Sequence, residues 1–329
     1  MTKNFLLFLQ IVQFVAIIVL YGLVSILLIF LIGKLINHIR GEKREKIRIS
    51  KKTYAFTTLF LILLVLVHGF WNMNNIKKKH YTIQTDKTFT IEQDGKYSVA
   101  LIADVHYGNF SNEKNIDLLS KRVNEEQVDL VVLVGDIVDE NSTKENMEYI
   151  FEQLGRLESK YGIFYVNGNH DRQLLLKKAE RAYSEQELLD TIRNNNITIL
   201  SDEVYQLNDE FTLIGREDEM HEKNRPTVEQ LIQNISESSY ILSLDHRPGD
   251  YKQYKDTNVD LLLSGHTHNG QVYPLNLILR LFEEDFFFYG RKGYYQNQFQ
   301  VIITSGFGGW LLPIKNSAPA EYVIIDIES

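Results

Sequence analysis

Residues 259–271 read VDLLLSGHTHNGQ. A short run rich in Val and Leu, of the kind that forms a buried strand, gives way at Gly265 to two histidines, His266 and His268. Side chains two apart on an extended segment share one side. Two imidazoles therefore project together from the point where a buried strand runs out. Histidines at a strand end are often no more than a polar rim, so the meaning of this pair depends on how the other strands end.

They end in the same way. ALIADVH delivers Asp104 and His106, LVVLVGDIVD delivers Asp136 and Asp139, IFYVNGNHD delivers Asn169, His170 and Asp171, and ILSLDHRP delivers His246. Open α/β sheets bind ligands at the carboxyl ends of their strands, so five such clusters can meet in one crevice. The glycines before Asp136, Asn169 and His266 permit sharp turns there. Taken singly each motif is weak, since an Asp after Gly is ordinary turn chemistry. Jointly they are not: of the seven histidines after residue 79, only His80 and His221 fall outside these clusters. Mixed carboxylate, imidazole and amide donors suit Mn, Fe or Zn. Seven candidate ligands (Asp104, His106, Asp136, Asn169, His246, His266 and His268) are too many for one ion and suit two.

Ahead of the strands lie two apolar runs, residues 14–32 without a charge and residues 54–71 broken only by His68 and two threonines. Each is long enough to cross a bilayer as a helix. No small-residue cleavage site follows the first run, which is too long for a signal sequence. The segment between them, residues 34–52, carries eight Lys and Arg, which predicts that it is cytoplasmic and that both chain ends lie outside. The expected organisation is a transmembrane hairpin over residues 1–79 and a catalytic domain over residues 80–329, in the cell membrane and facing outward. Residues 1–79 hold 12 Lys and Arg against 2 Asp and Glu, and the remainder 23 against 41. So acidic a domain is a poor partner for nucleic acid, whose binding rests on basic side chains.

Alternating strand-like and helix-like segments predict a layered α/β architecture. Helices are expected over residues 112–126, 144–157, 185–194 and 227–235. Further strands are expected at ITILSDEVYQL (197–207), FTLIGRE (211–217), QVIITSG (300–306) and EYVIIDI (321–327).

In this order the motifs D-x-H, G-D-x-x-D, G-N-H-D, a lone His and G-H-x-H resemble the calcineurin-like metallophosphoesterases, over residues 80–329. GREDE, LSLDHRP, SGHTHNGQ and SGFGGWLLPIK are similar to a membrane-associated bacterial subgroup. It includes exported phosphoesterases and hydrolases of UDP-diacylglucosamine-type lipids. The resemblance implies two packed mixed β-sheets flanked by helices and two divalent metal ions. One would be held by Asp104, His106, Asp136 and His268, the other by Asp136, Asn169, His246 and His266. It makes His170 a catalytic acid, oriented by Asp139, while a hydroxide shared by the metals attacks phosphorus. Asn269 and Lys315 depart from the commoner Gly and Arg at positions expected near the substrate's phosphate or sugar. The implied activity is hydrolysis of a phosphodiester or pyrophosphate, with a lipid headgroup the substrate that a membrane location favours. Broad phosphomonoesterase or nucleotide phosphodiesterase activity stays open, as does a catalytically idle membrane scaffold. The Leu- and Phe-rich residues 275–288 and 307–313 either touch lipid or, on the plainer reading, pack as ordinary core.

Overall fold

A computed structural model describes residues 1–41, 45–92, 94–248, 253–254, 257–274, 276–277, 292–295 and 299–329. Two long helices come first, α1 (Lys3–Arg40) and α2 (Lys51–Asn74), both long and apolar enough to cross a membrane. Then follow β1 (Lys77–Gln84), β2 (Lys96–Ile102), α3 (Glu113–Glu125), β3 (Leu130–Val134), α4 (Lys144–Leu154) and β4 (Ile163–Val166). The chain continues through α5 (Glu185–Asn194), β5 (Ile197–Ile199), β6 (Glu203–Gln206), β7 (Phe211–Gly215), α6 (Val228–Ile232) and β8 (Tyr240–Leu244). It closes with β9 (Leu261–Ser264), β10 (Lys292–Tyr295), β11 (Phe299–Ile303) and β12 (Glu321–Glu328).

The strands form two six-stranded mixed sheets, β1-β12-β2-β3-β4-β5 and β10-β11-β9-β8-β7-β6. Within the first, β2 to β5 are parallel. Within the second, β7, β8, β9 and β11 are parallel. Alternation along the strands assigns their faces. Val99, Leu101, Val132, Val134 and Phe164 turn inward to meet Leu213, Leu242, Leu244, Leu261 and Leu263 of the other sheet. Ala100, Ile102, Val131 and Leu133 turn outward beneath Ile116, Leu119, Met147, Ile150 and Leu188 of α3, α4 and α5. Covered on both faces, the central strands read as unbroken apolar runs. The arrangement is the expected pair of packed mixed sheets flanked by helices.

Helix starts follow local chemistry. Thr143, Ser184 and Thr227 each accept the amide three residues on, and Asn146, Glu187 and Gln230 reach back to the cap. The helix expected over residues 227–235 ends after Ile232, where a run of Asn and Ser side chains competes for the backbone. The segment 197–207, expected as one strand, breaks at Ser201-Asp202, with Asp202 at φ +52°, and its halves join different sheets. The first strand starts within residues 1–79, at the end of the expected hairpin. Lys77–Lys79 open β1, which pairs with β12 at the sheet edge, where three lysines in a row hid it.

The sheets approach closely at Gly215, where a Cβ would lie 2.0 Å from Cβ of Leu200 and 3.0 Å from Val166. Gly215→Ala should destabilise the fold by about 1–3 kcal/mol, the usual cost of overpacking. Denaturant unfolding of the full chain in detergent should show a lower midpoint, and an unchanged one would mean the sheets have slack there.

Candidate metal centre

Four ligand-bearing loops leave the carboxyl ends of β2, β3, β4 and β9, and a fifth position follows β8. The backbone bends hard to aim them. Asp104, His106, Asp136, His266 and His268 all have positive φ, between +46° and +68°. That is a costly region for side-chain-bearing residues, sustained where the surroundings over-determine it. Gly135 makes the expected turn, at φ +74°. Gly168 and Gly265 serve closeness instead. A Cβ there would stand 2.2 Å from Oδ1 of Asp136 and 2.5 Å from Oδ2 of Asp104.

The loops bring six of the seven sequence-derived candidates into two groups. Asp104, His106 and His268 form one; Asp136, His246 and His266 form the other, with each group's ligand atoms within 4.8 Å of one another. In the first, Nε2 of His268 lies 3.1 Å from Nε2 of His106 and 3.4 Å from Oδ1 of Asp104. Asp136 stands between the groups, its Oδ2 3.0 Å from Nε2 of His246 and 3.9 Å from Nε2 of His106. His246 donates from Nδ1 to the carbonyl of Val134 at 2.8 Å, which turns Nε2 toward Asp136. Oδ1 of Asn169 is buried without a hydrogen-bond partner. Buried polar atoms are seldom left so, and this one fits a cation.

The electrostatics agree. Burial pushes the Asp104 carboxyl up to about 6, because the positive charge around it is insufficient. Burial also raises Asp136, but the imidazoles of His246, His170 and His106 outweigh it and hold the group well below the carboxylate range. Burial lowers His246, yet Asp136 lifts it to about 10. Burial and the His246 charge take His266 down to about 3, and burial beside His106 takes His268 well below its ordinary value. Burial and neighbouring charge thus push His266 and His268 down, while Asp136 holds His246 up.

His170 lies apart from both groups, its ring centroid 5.6 Å from that of His106. The expected orienting partner was Asp139, and this is corrected. Nδ1 of His170 meets Oε2 of Glu140 at 2.8 Å, whereas Oδ2 of Asp139 lies 3.2 Å from Nδ1 of His106. The turn after β3 places neighbouring carboxylates on two different histidines. Burial lowers His170, but Asp136 and Glu140 carry it up to about 9.

Three further residues shape the site without having been given a place in it from sequence. Asp171 accepts the amides of Asp136, Ile137, Val138 and Gly168 at 2.7–3.1 Å and fixes the loop that carries Asp136. Its place within GNHD was the available signal. Trp310, whose ring centroid is 4.9 Å from that of His170, lies in the SGFGGWLLPIK motif, whereas Glu140 had no such signal. Lys315, expected near substrate, is fully buried, and its Nζ donates to the carbonyls of Ser305 and Gly306. Nδ2 of Asn269 donates to the carbonyl of Ser317 at 3.1 Å.

A profile described as calcineurin-like phosphoesterase matches residues 97–270, which contain every expected ligand. An uncharacterized metallophosphoesterase of Helicobacter pylori is 30% identical over 282 residues, covering 83% of this chain and 70% of that protein. A transmembrane protein with metallophosphoesterase domain from Danio rerio is 24% identical over 316 residues, 91% of this chain and 70% of the other. The crystal structure of a dimetal phosphatase from Danio rerio shares 16% identity at a TM-score of 0.41, covering 63% of this chain and 86% of that one. With two ligand groups joined through Asp136, the chain belongs to the calcineurin-like phosphoesterase family and is a metal-dependent phosphoester hydrolase.

Proposed function

We propose that this enzyme is anchored in the membrane by α1 and α2 and hydrolyses a phosphodiester or pyrophosphate linking a headgroup to a lipid or lipid carrier. The observation that carries this reading is the seam between helices and metal centre. Asn72 of α2 donates to the carbonyl of Lys315 at 3.0 Å, and the amide of Lys315 donates to the carbonyl of Gly69 at 3.1 Å. Nδ2 of Asn316 donates to the Tyr21 hydroxyl of α1 at 2.8 Å. Trp310, beside His170, opens the same loop. An active site whose own loop is bolted to two apolar helices meets membrane lipids before soluble esters. Residues 278–291, the greater part of the expected lipid-contacting segment 275–288, lie outside the described residues.

In this reading Asp104, His106, Asp136 and His268 hold one ion, and Asp136, Asn169, His246 and His266 the other, whether Mn, Fe or Zn. Two divalent ions so held supply Lewis acidity at the phosphoryl oxygens and lower the pKa of water at the site. The protein supplies the rest. Asp139 orients His106, the Val134 carbonyl orients His246, and Asp171 fixes the Asp136 loop. His170, hydrogen-bonded to Glu140, delivers a proton to the leaving oxygen. The basic segment between the helices supports a cytoplasmic loop and an outward-facing catalytic domain. Contacts of Met1 and Lys3 with residues 175–180 support placing the amino terminus on the catalytic side.

Metal analysis of the purified full chain should find about two divalent ions per chain, in keeping with a two-metal site. Asp136→Asn should lose at least one ion together with activity, whereas a fully active metal-free enzyme would refute the assignment. His170→Ala should keep both ions and lose roughly a hundredfold in turnover, with less loss on esters of very acidic leaving groups. Glu140→Gln should follow it in direction with a smaller loss. Loss of metal from His170→Ala would make His170 a ligand. Protease added to intact cells should cut within residues 80–329, and protection until lysis would reverse the orientation.

A further inference from the structure

Helix α1 is longer than its crossing requires. Its 38 residues extend about 57 Å at 1.5 Å per residue, against a hydrocarbon core about 30 Å thick. The second half is accounted for by α2 and the segment before it: Ile62 stands against Gly22, Ile49 against Gly33, and Asn37 bonds the backbone of Ile47. The first half is held at two points, both next to the metal centre. At one, the Met1 carbonyl accepts from the amide of Lys177 at 2.9 Å, and the Lys3 amide reaches Glu180 at 3.5 Å. That segment is tied to the GNHD loop by the amide of Gln173, which donates to the carbonyl of His170 at 2.8 Å. At the other, Phe14, Ile17 and Tyr21 pack with Val272, Leu312 and Ile314. Val272 lies four residues beyond His268, and Leu312 two beyond Trp310.

Between these anchors α1 shows large apolar side chains to the outside. Phe5, Leu7, Phe8 and Ile11 are each half exposed or more. So long an apolar row on a surface marks an interaction site. Gln10, half-buried on the same stripe as Leu6, Phe14 and Tyr21, has no side-chain hydrogen bond among the described residues. An amide in hydrocarbon needs a partner, so this turn stands at the polar level of the site rather than inside the membrane.

We propose that the first three turns of α1 form an apolar ramp from the bilayer to the metal centre, occupied by the acyl chain of the substrate. The proposal rests on the lipid reading given above. Its basis is continuity: one unbroken helix runs from the bilayer-spanning half to the loops on either side of the site. A chain drawn up along it stays in apolar contact while its phosphate reaches the metals. Selectivity for long-chain esters then resides outside the metal-binding domain.

The test uses two chromogenic diesters that differ only in their tails, p-nitrophenyl hexadecyl phosphate in phosphatidylcholine vesicles and p-nitrophenyl methyl phosphate in solution. The reconstituted full chain should prefer the hexadecyl ester. Replacing Phe5, Leu7, Phe8 and Ile11 by Ser should lower kcat/KM for that ester about tenfold or more and leave the methyl ester unchanged. A parent enzyme without preference for the long tail overturns the lipid reading itself. A preference that survives the substitutions, or equal loss on both esters, overturns the ramp alone.

Discussion

Asp136 sits at the end of β3, where one oxygen accepts the backbone amide of His170 at 2.8 Å and the other faces His246 at 3.0 Å and His106 at 3.9 Å. His106 and His170 come from the first sheet and His246 from the second. A buried carboxylate with three imidazoles around it is stable only while their positive charge, or that of a metal, stays close. The requirement propagates outward. The carboxyl ends of β2, β3, β4, β8 and β9 must converge, and the backbone must accept left-handed conformations at five ligand residues. The four amides given to Asp171 hold the Asp136 loop where neither sheet alone would keep it.

A second layer sets what that centre can do. Asp139 and the Val134 carbonyl lie against Nδ1 of His106 and of His246, and Glu140 holds His170 beside the groups rather than among them. Adjacent carboxylates thus meet different histidines. Lys315 belongs to another task. Its buried ammonium closes the loop that carries Trp310, while its backbone reaches Gly69 and Asn72 of α2. The apolar helix α2 and the loop that carries Trp310 therefore meet in a single residue.

Much of this was legible in the sequence because strand ends declare themselves. A Val- and Leu-rich run that stops at Gly-Asp or Gly-His reports both a buried strand and the side chain it delivers. The capping residues Thr143, Ser184 and Thr227 fixed helix starts in the same local way. Other features depend on distance through space. Nothing local separates Asp139 from Glu140 as the partner of His170, since one residue along a turn redirects a side chain entirely. Strand β1 begins with three lysines and earns its place only by pairing with β12, more than two hundred residues away. The split of residues 197–207 between two sheets is equally non-local. The docking of α1 on the catalytic loops was hidden because its uniform hydrophobicity reads as span from end to end.

The central claim is that Asp136 joins two ions. Crystals of the full chain grown with Mn would test it by anomalous scattering. The account predicts two peaks about 3.5–4 Å apart, the separation of two-metal sites, on either side of Oδ2 of Asp136. A single peak, or a second one remote from Asp136, would contradict it.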